Sequence, residues 1–160
     1  MTVGFSGAEM VALAIETEQS GYTFYIKAAE AARTEGVRDL CELLAAAEAA
    51  HEATFRRMQQ SVGVFEPPES YVGEWSAYGQ ALLASRVLPN AEVAAQLATA
   101  TTTDLEAVEL AIRFEKDTIL FMYEMSGQVP AGEAKTLDAL IGEEKQHVQM
   151  LTEYKHTLAH

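Results

Sequence analysis

Glu144-Lys145-Gln146-His147 interrupts a run from Leu137 to Tyr154 in which apolar residues otherwise recur every three or four positions. That recurrence is the signature of an amphipathic helix. A carboxylate and an imidazole three residues apart on a helix lie about 60° from each other, so both can reach one metal ion. The same pair occurs earlier as Glu48-Ala49-Ala50-His51, again inside a helical pattern. Glu18 and Glu115 stand at matching points of two further helical runs. Four helices thus offer four carboxylates and two imidazoles.

Working outward, Ser6-Gly7-Ala8-Glu9 has capping-box form and opens a first helix over about 7–33. Its inward face is traced through Val11, Ile15, Glu18, Tyr22, Tyr25 and Ala29, which sets Glu18 inside an apolar and aromatic stripe. Gly36 is read as the end of that helix. A second helix follows over 37–61, with Val37, Leu40, Cys41, Leu44, Glu48, His51, Phe55 and Met58 facing inward. Thr103-Asp104-Leu105-Glu106 is another capping box and opens a helix over 104–126. Its stripe is Leu105, Val108, Ile112, Glu115, Ile119 and Met122. Gly127 closes that helix, Pro130 precedes the last one over 131–158, and Leu137, Leu140, Glu144, His147, Leu151, Tyr154 and Leu158 face inward. The segment 62–103 is broken by Pro67-Pro68, Gly73 and Pro89. It reads as a long crossover with short helices near Trp75 to Ser85 and Ala91 to Ala100, because structureless connections of that length are uncommon in compact domains.

An internal repeat links these pieces. Glu18 and Glu115 lie 97 residues apart within similar sequence, and the two Glu-x-x-His pairs lie 96 apart. One helical hairpin occurs twice, each copy giving Glu from its first helix and Glu-x-x-His from its second. The expectation is an all-α four-helix bundle forming a single domain over 1–160, with six ligands gathered about a pseudo-twofold axis. Glu153-Tyr154-Lys155-His156 repeats the spacing nine residues later, about half a turn away, with no counterpart in the first half, and is read as surface.

Composition bounds the function. With 24 acidic against 11 basic side chains the formal charge is −13, which opposes nucleic acid and anionic lipid. No run approaches the ~20 apolar residues of a membrane span. The lone Cys41 cannot form an internal disulfide, and no C-x-x-C pair is present, so a cytoplasmic location is expected. Four carboxylates gathered in a core are tolerable only with protons or metal ions beside them. An oxygen-rich site with one imidazole per metal suits iron, with manganese or zinc as alternatives.

At these residues the chain resembles the rubrerythrin-like branch of the ferritin-like diiron proteins. The resemblance implies Glu18, Glu48, His51, Glu115, Glu144 and His147 as ligands of two metal ions, and sets Tyr25 at the place of a family tyrosine seven residues after the first glutamate. Tyr25 and Tyr22 are the candidates for outer hydrogen bonds to the ligands. Three features depart from the family. Cysteine pairs of a rubredoxin-like domain are absent, Thr118 stands where a further carboxylate would follow Glu115, and Met122, beside Tyr123, stands where a symmetric second tyrosine would be. The expected function is oxygen or peroxide redox chemistry or iron oxidation, with an external electron donor. A non-catalytic metal-binding or iron-storage protein and a helical interaction module are the alternatives. The expected assembly is a homo-oligomer, in the first instance a dimer.

Overall fold

The computed structural model describes residues 7–62 and 74–160, with side chains from 77 onward in the second segment. Among them are six helices and no strand: α1 (Gly7–Ala31), α2 (Glu35–Val62), α3 (Glu74–Ser85), α4 (Ala91–Ala100), α5 (Asp104–Ser126) and α6 (Ala131–Ala159). Helices α1 and α2 pack as one hairpin and α5 and α6 as the other. The short helices expected in the crossover are α3, which packs on α5, and α4, which packs on α1.

Local chemistry sets the helix ends. Thr103 caps α5 by accepting from Glu106 N, and Glu106 returns a carboxylate to Thr102 N rather than to Thr103 N, a capping box shifted by one residue on its return arm. Asn90 caps α4 by accepting from Val93 N at 2.9 Å. Gly127 is the C-cap of α5 with ordinary right-handed backbone (φ −78°), and Pro130 precedes α6. The capping serine expected for α1, Ser6, lies outside the described residues. Gly36 does not end α1, which stops at Ala31. It is the second residue of α2, and a Cβ there would come within 3.1 Å of the Tyr154 ring, so its role is close packing between α2 and α6.

The α1–α2 turn is held from a distance. Asp104, at the start of α5, accepts from Arg33 N and Thr34 N, each at 2.9 Å, and from Thr34 Oγ1 at 2.8 Å. Burial alone would raise this carboxyl, but the bonds from Arg33 and Thr34 hold it below its ordinary value. Asp104→Ala should therefore cost about 2 kcal/mol at neutral pH, since two backbone donors lose a charged acceptor. A lowered carboxyl stabilises above its unfolded value and loses that contribution as the pH falls through the folded one. The wild-type advantage over Asp104→Ala, measured by urea unfolding across pH, should thus shrink below about pH 3.8.

Two apolar clusters fill the bundle. One joins Phe24, Tyr25, Leu44, Val108, Phe114 and Leu151. The other joins Met10, Ile15, Phe55, Met58, Phe121, Met122 and Leu137. On each long helix the inward glutamate, and on α2 and α6 the histidine three residues after it, falls between the two sets. A charged layer thus sits across the middle of an apolar core.

Candidate metal centre

All six expected ligands are buried in that layer. Glu18 comes from α1, Glu48 and His51 from α2, Glu115 from α5, and Glu144 and His147 from α6, with the most exposed of them, His147, at 6%. Their donor atoms form two groups, each spanning no more than 4.8 Å: Glu18, Glu48, His51 and Glu144, and Glu48, Glu115, Glu144 and His147. Glu48 and Glu144 belong to both. The pseudo-twofold relation follows from the doubled hairpin, since Glu18 maps to Glu115 and each Glu-x-x-His pair to the other.

Both histidines turn Nδ1 inward. His147 Nδ1 lies 2.8 Å from Glu144 Oε2 and 3.7 Å from Glu115 Oε1. His51 Nδ1 lies 2.9 Å from Glu144 Oε1 and 3.5 Å from Glu18 Oε2. Despite that proximity, His51 Nδ1 and Glu144 Oε1 are off the angles a hydrogen bond needs. Glu18 and Glu48 leave both carboxylate oxygens without a hydrogen bond, and Glu115 leaves Oε2. Buried polar atoms in native cores are rarely left so. So many unpartnered acceptors converging with imidazole nitrogens fit a pair of cations better than a hydrogen-bonded polar core.

Electrostatics point the same way. Burial, then the neighbouring carboxylates, push Glu48 well above the usual carboxyl range. Burial and Glu144 do the same to Glu115, and to Glu18 less strongly. Glu144 goes the other way: burial would raise it, but His147 and His51 hold it down at about 2. The histidines respond in kind. Burial opposes their charge, yet Glu144 and Glu18 lift His51 to about 11, and Glu115 and Glu144 lift His147 to about 9. The cluster thus attracts positive charge from every side, and metal ions can supply what protons otherwise must.

Three neighbours complete the site. The Tyr25 hydroxyl donates to Glu115 Oε1, and burial together with the Glu115 charge keeps that hydroxyl protonated far above its ordinary range. Gly21 makes room, because a Cβ on it would stand 2.5 Å from Glu48 Oε2 and 2.5 Å from the Phe114 ring. Glu143 accepts from His51 Nε2 at 2.8 Å, which fixes the ring with its other nitrogen facing the centre. Its symmetry counterpart, 96 residues earlier, is Ala47, so only the His51 side has this support. Glu143→Ala should therefore weaken one of two metal positions about 10–100-fold and leave the other nearly intact, which a calorimetric metal titration would resolve as two unequal steps.

Other expected residues fall elsewhere. Tyr22 is 43% exposed and does not reach the centre. Helix α1 is covered by α4 as well as α2, which turns its buried face toward Ala14, Gly21, Phe24 and Tyr25 and leaves Tyr22 at the rim. Tyr123 is exposed, with the Lys145 ammonium 5.3 Å from its ring centre, and Met122 fills the core position beside it. Thr118 is buried with its hydroxyl unpartnered. Glu153 and His156 are both exposed. Cys41 is buried in the apolar core, where burial, then Asp104 and Glu42, push its thiol up to about 12. It has no thiolate character to offer.

The rubrerythrin family profile matches residues 9–155, nearly the whole chain. This chain belongs to the rubrerythrin family. Its fold is also that of a candidate ferritin-like diiron-carboxylate protein of Thermotoga maritima, known from a crystal structure at 2.30 Å resolution. The two superpose with a TM-score of 0.70 over 96% of each chain, at 24% sequence identity. Comparison with curated protein sequences gives no match. The family and the buried carboxylate and histidine cluster together point to a dinuclear metal site. Among the described residues Tyr25 is the tyrosine that bonds a carboxylate of the centre, and Thr118, three residues after Glu115, brings a hydroxyl rather than a carboxylate.

Proposed function

We propose that this protein holds two iron ions and uses them to reduce peroxide or dioxygen with electrons from an external donor. The observation that carries the reading is the pair of overlapping four-residue groups sharing Glu48 and Glu144. Glu18 and His51 would hold one ion, Glu115 and His147 the other, and the two shared carboxylates would bridge them. Two Fe(II) ions supply one electron each, which together with two protons matches the reduction of peroxide to two waters.

The chain's own residues prepare that chemistry. The Tyr25 hydroxyl, donating to Glu115, keeps one carboxylate oriented, and Glu143 orients His51. The apolar clusters on either side exclude bulk water, so charges in the layer interact strongly. Manganese or zinc would also fit the donor set, so iron is assigned on its redox use. Among the described residues no helix is long and apolar enough to cross a membrane, and a single buried thiol suits a reducing, cytoplasmic setting.

Anaerobic reconstitution with Fe(II), desalting and metal analysis test the reading, followed by mixing with peroxide. About two irons should stay bound per chain and oxidise far faster than free Fe(II), and added reductant should restore the cycle repeatedly. Retention of no iron would overturn the metal site. A single stoichiometric oxidation followed by iron accumulation in a large assembly would replace the enzyme reading with storage.

A further inference from the structure

A small cavity lies between α1, α3 and α5, beside the metal layer and outside its ligand set. Thr17 of α1, Leu82 and Leu83 of α3, and Phe114, Thr118 and Phe121 of α5 wall it, and Arg86, just after α3, joins them. It has about 20 Å³ of room for the centre of a water-sized molecule. One water needs roughly 10–15 Å³ on that measure, so the space takes a single molecule of one or two heavy atoms. Two polar atoms of the lining lack a partner. Thr118 is 1% exposed, and its Oγ1 makes no hydrogen bond among the described residues. A helical threonine can satisfy its hydroxyl on the carbonyl four residues back, as Thr17 does with Leu13 O at 2.8 Å and Thr152 with Val148 O at 2.7 Å. Thr118 does not take that bond. Arg86 Nε is likewise buried and unpartnered among the described residues. The chain there is pinned to α5, because Val87 N donates to Asp117 Oδ2 at 2.8 Å. Buried polar atoms in native proteins rarely stay unsatisfied, and where no protein group serves, a small bound molecule does.

Position gives the cavity a use. Phe114 and Thr118 stand on either side of Glu115 along α5, and Thr17 directly precedes Glu18 on α1. The Phe114 ring also reaches Glu48, since a Cβ on Gly21 would stand 2.5 Å from both. The geometry points to a holding site for one small hydroxylic molecule, water at rest and hydrogen peroxide when present, bonded by Thr118 Oγ1 and Arg86 Nε, with the Phe114 ring as the partition between it and the metal layer. Arg86 Nε can only donate, to an oxygen of the guest, whereas Thr118 Oγ1 can accept the guest's own proton. Dioxygen has no proton to give, so it leaves Thr118 unsatisfied. Alkyl hydroperoxides exceed the space. Use of the site as the entry for substrate rests on the peroxide reading above; its occupancy does not.

Crystals of zinc-loaded protein, which has no redox chemistry with which to consume peroxide, test the occupancy. Before soaking, one ordered water should lie within about 3.2 Å of both Thr118 Oγ1 and Arg86 Nε. After soaking in hydrogen peroxide, two-atom density should replace it. Thr118→Val, nearly the same shape without the hydroxyl, should lose the density under both conditions, and Thr118→Ser should restore it. A dry cavity in the wild type, or equal density in Thr118→Val, overturns the site, and water that peroxide never displaces overturns its assignment to peroxide. With Fe(II) bound, Thr118→Val should raise the hydrogen peroxide concentration for half-maximal rate about fivefold and keep the maximal rate within about twofold. Phe114→Leu should raise the rate with tert-butyl hydroperoxide about tenfold relative to that with hydrogen peroxide. Circular dichroism reports that each variant is folded. An unchanged half-saturating concentration in the first variant and an unchanged preference in the second overturn the entry role. A wild type inert to every peroxide overturns the redox reading instead, and the zinc crystals still decide the site.

Discussion

Glu144→Ala with His147→Ala is expected to abolish metal binding at both positions, whereas Glu153→Ala with His156→Ala should leave it unchanged. The two pairs share residue types and spacing on one helix, but the first is buried in the charged layer and the second is exposed. Glu144 belongs to both four-residue groups, so its loss cannot be confined to one ion. The loss should exceed the roughly 10–100-fold that removal of an outer supporting residue costs. Without metal the first variant should also lose about 3 kcal/mol, because His51 keeps a buried charge after losing the carboxylate nearest its Nδ1. In a chain of this size that lowers Tm by about 6–12 °C. The second variant should change stability by no more than about 0.5 kcal/mol per site. Metal analysis and thermal unfolding of both proteins decide the matter. Equal metal loss in the two would mean that the helical register of α6 is wrong.

Glu48→Met should separate stability from function in opposite directions. Glu48 is fully buried, both its oxygens lack a hydrogen bond, and three other glutamates raise its pKa further after burial. Methionine has a similar length and no charge to desolvate, and replacement of poorly satisfied buried ionic groups by apolar ones is often stabilising. The metal-free variant should therefore gain about 2 kcal/mol, or about 4–8 °C in Tm. The rise in Tm that metal gives the wild type should vanish, since a carboxylate common to both four-residue groups has been removed. A metal-free Tm below that of the wild type would show instead that Glu48 is held by favourable bonds and that the layer is a structural polar network.

Why the six central residues were legible is a matter of periodicity. Each interrupts an apolar stripe whose spacing declares which way it faces, and the doubled Glu-x-x-His pairs, 96 residues apart, single out four positions among twenty glutamates and four histidines. The short helices α3 and α4 were legible from their breakers and from the reluctance of compact folds to carry long bare loops. What lies between helices was not. Gly21 looks like a helix-weakening residue until Glu48 and the Phe114 ring are seen where its side chain would be. Glu143 supports a histidine on another helix, and no spacing within α6 announces that bond. Periodicity sets Tyr22 inward because it locates a stripe but not its centre, and the centre shifts where α4 covers part of α1. Gly36 reads as a terminator, the common role for glycine after a helix, whereas its neighbour is the Tyr154 ring.

Anomalous scattering at the iron edge, from crystals of protein loaded with Fe(II) without oxygen, tests the dinuclear centre most directly. Two peaks are expected, one among Glu18, Glu48, His51 and Glu144 and the other among Glu48, Glu115, Glu144 and His147, with Glu48 and Glu144 contributing to both. A single peak, or iron bound only at exposed carboxylates such as Glu153, would contradict the account.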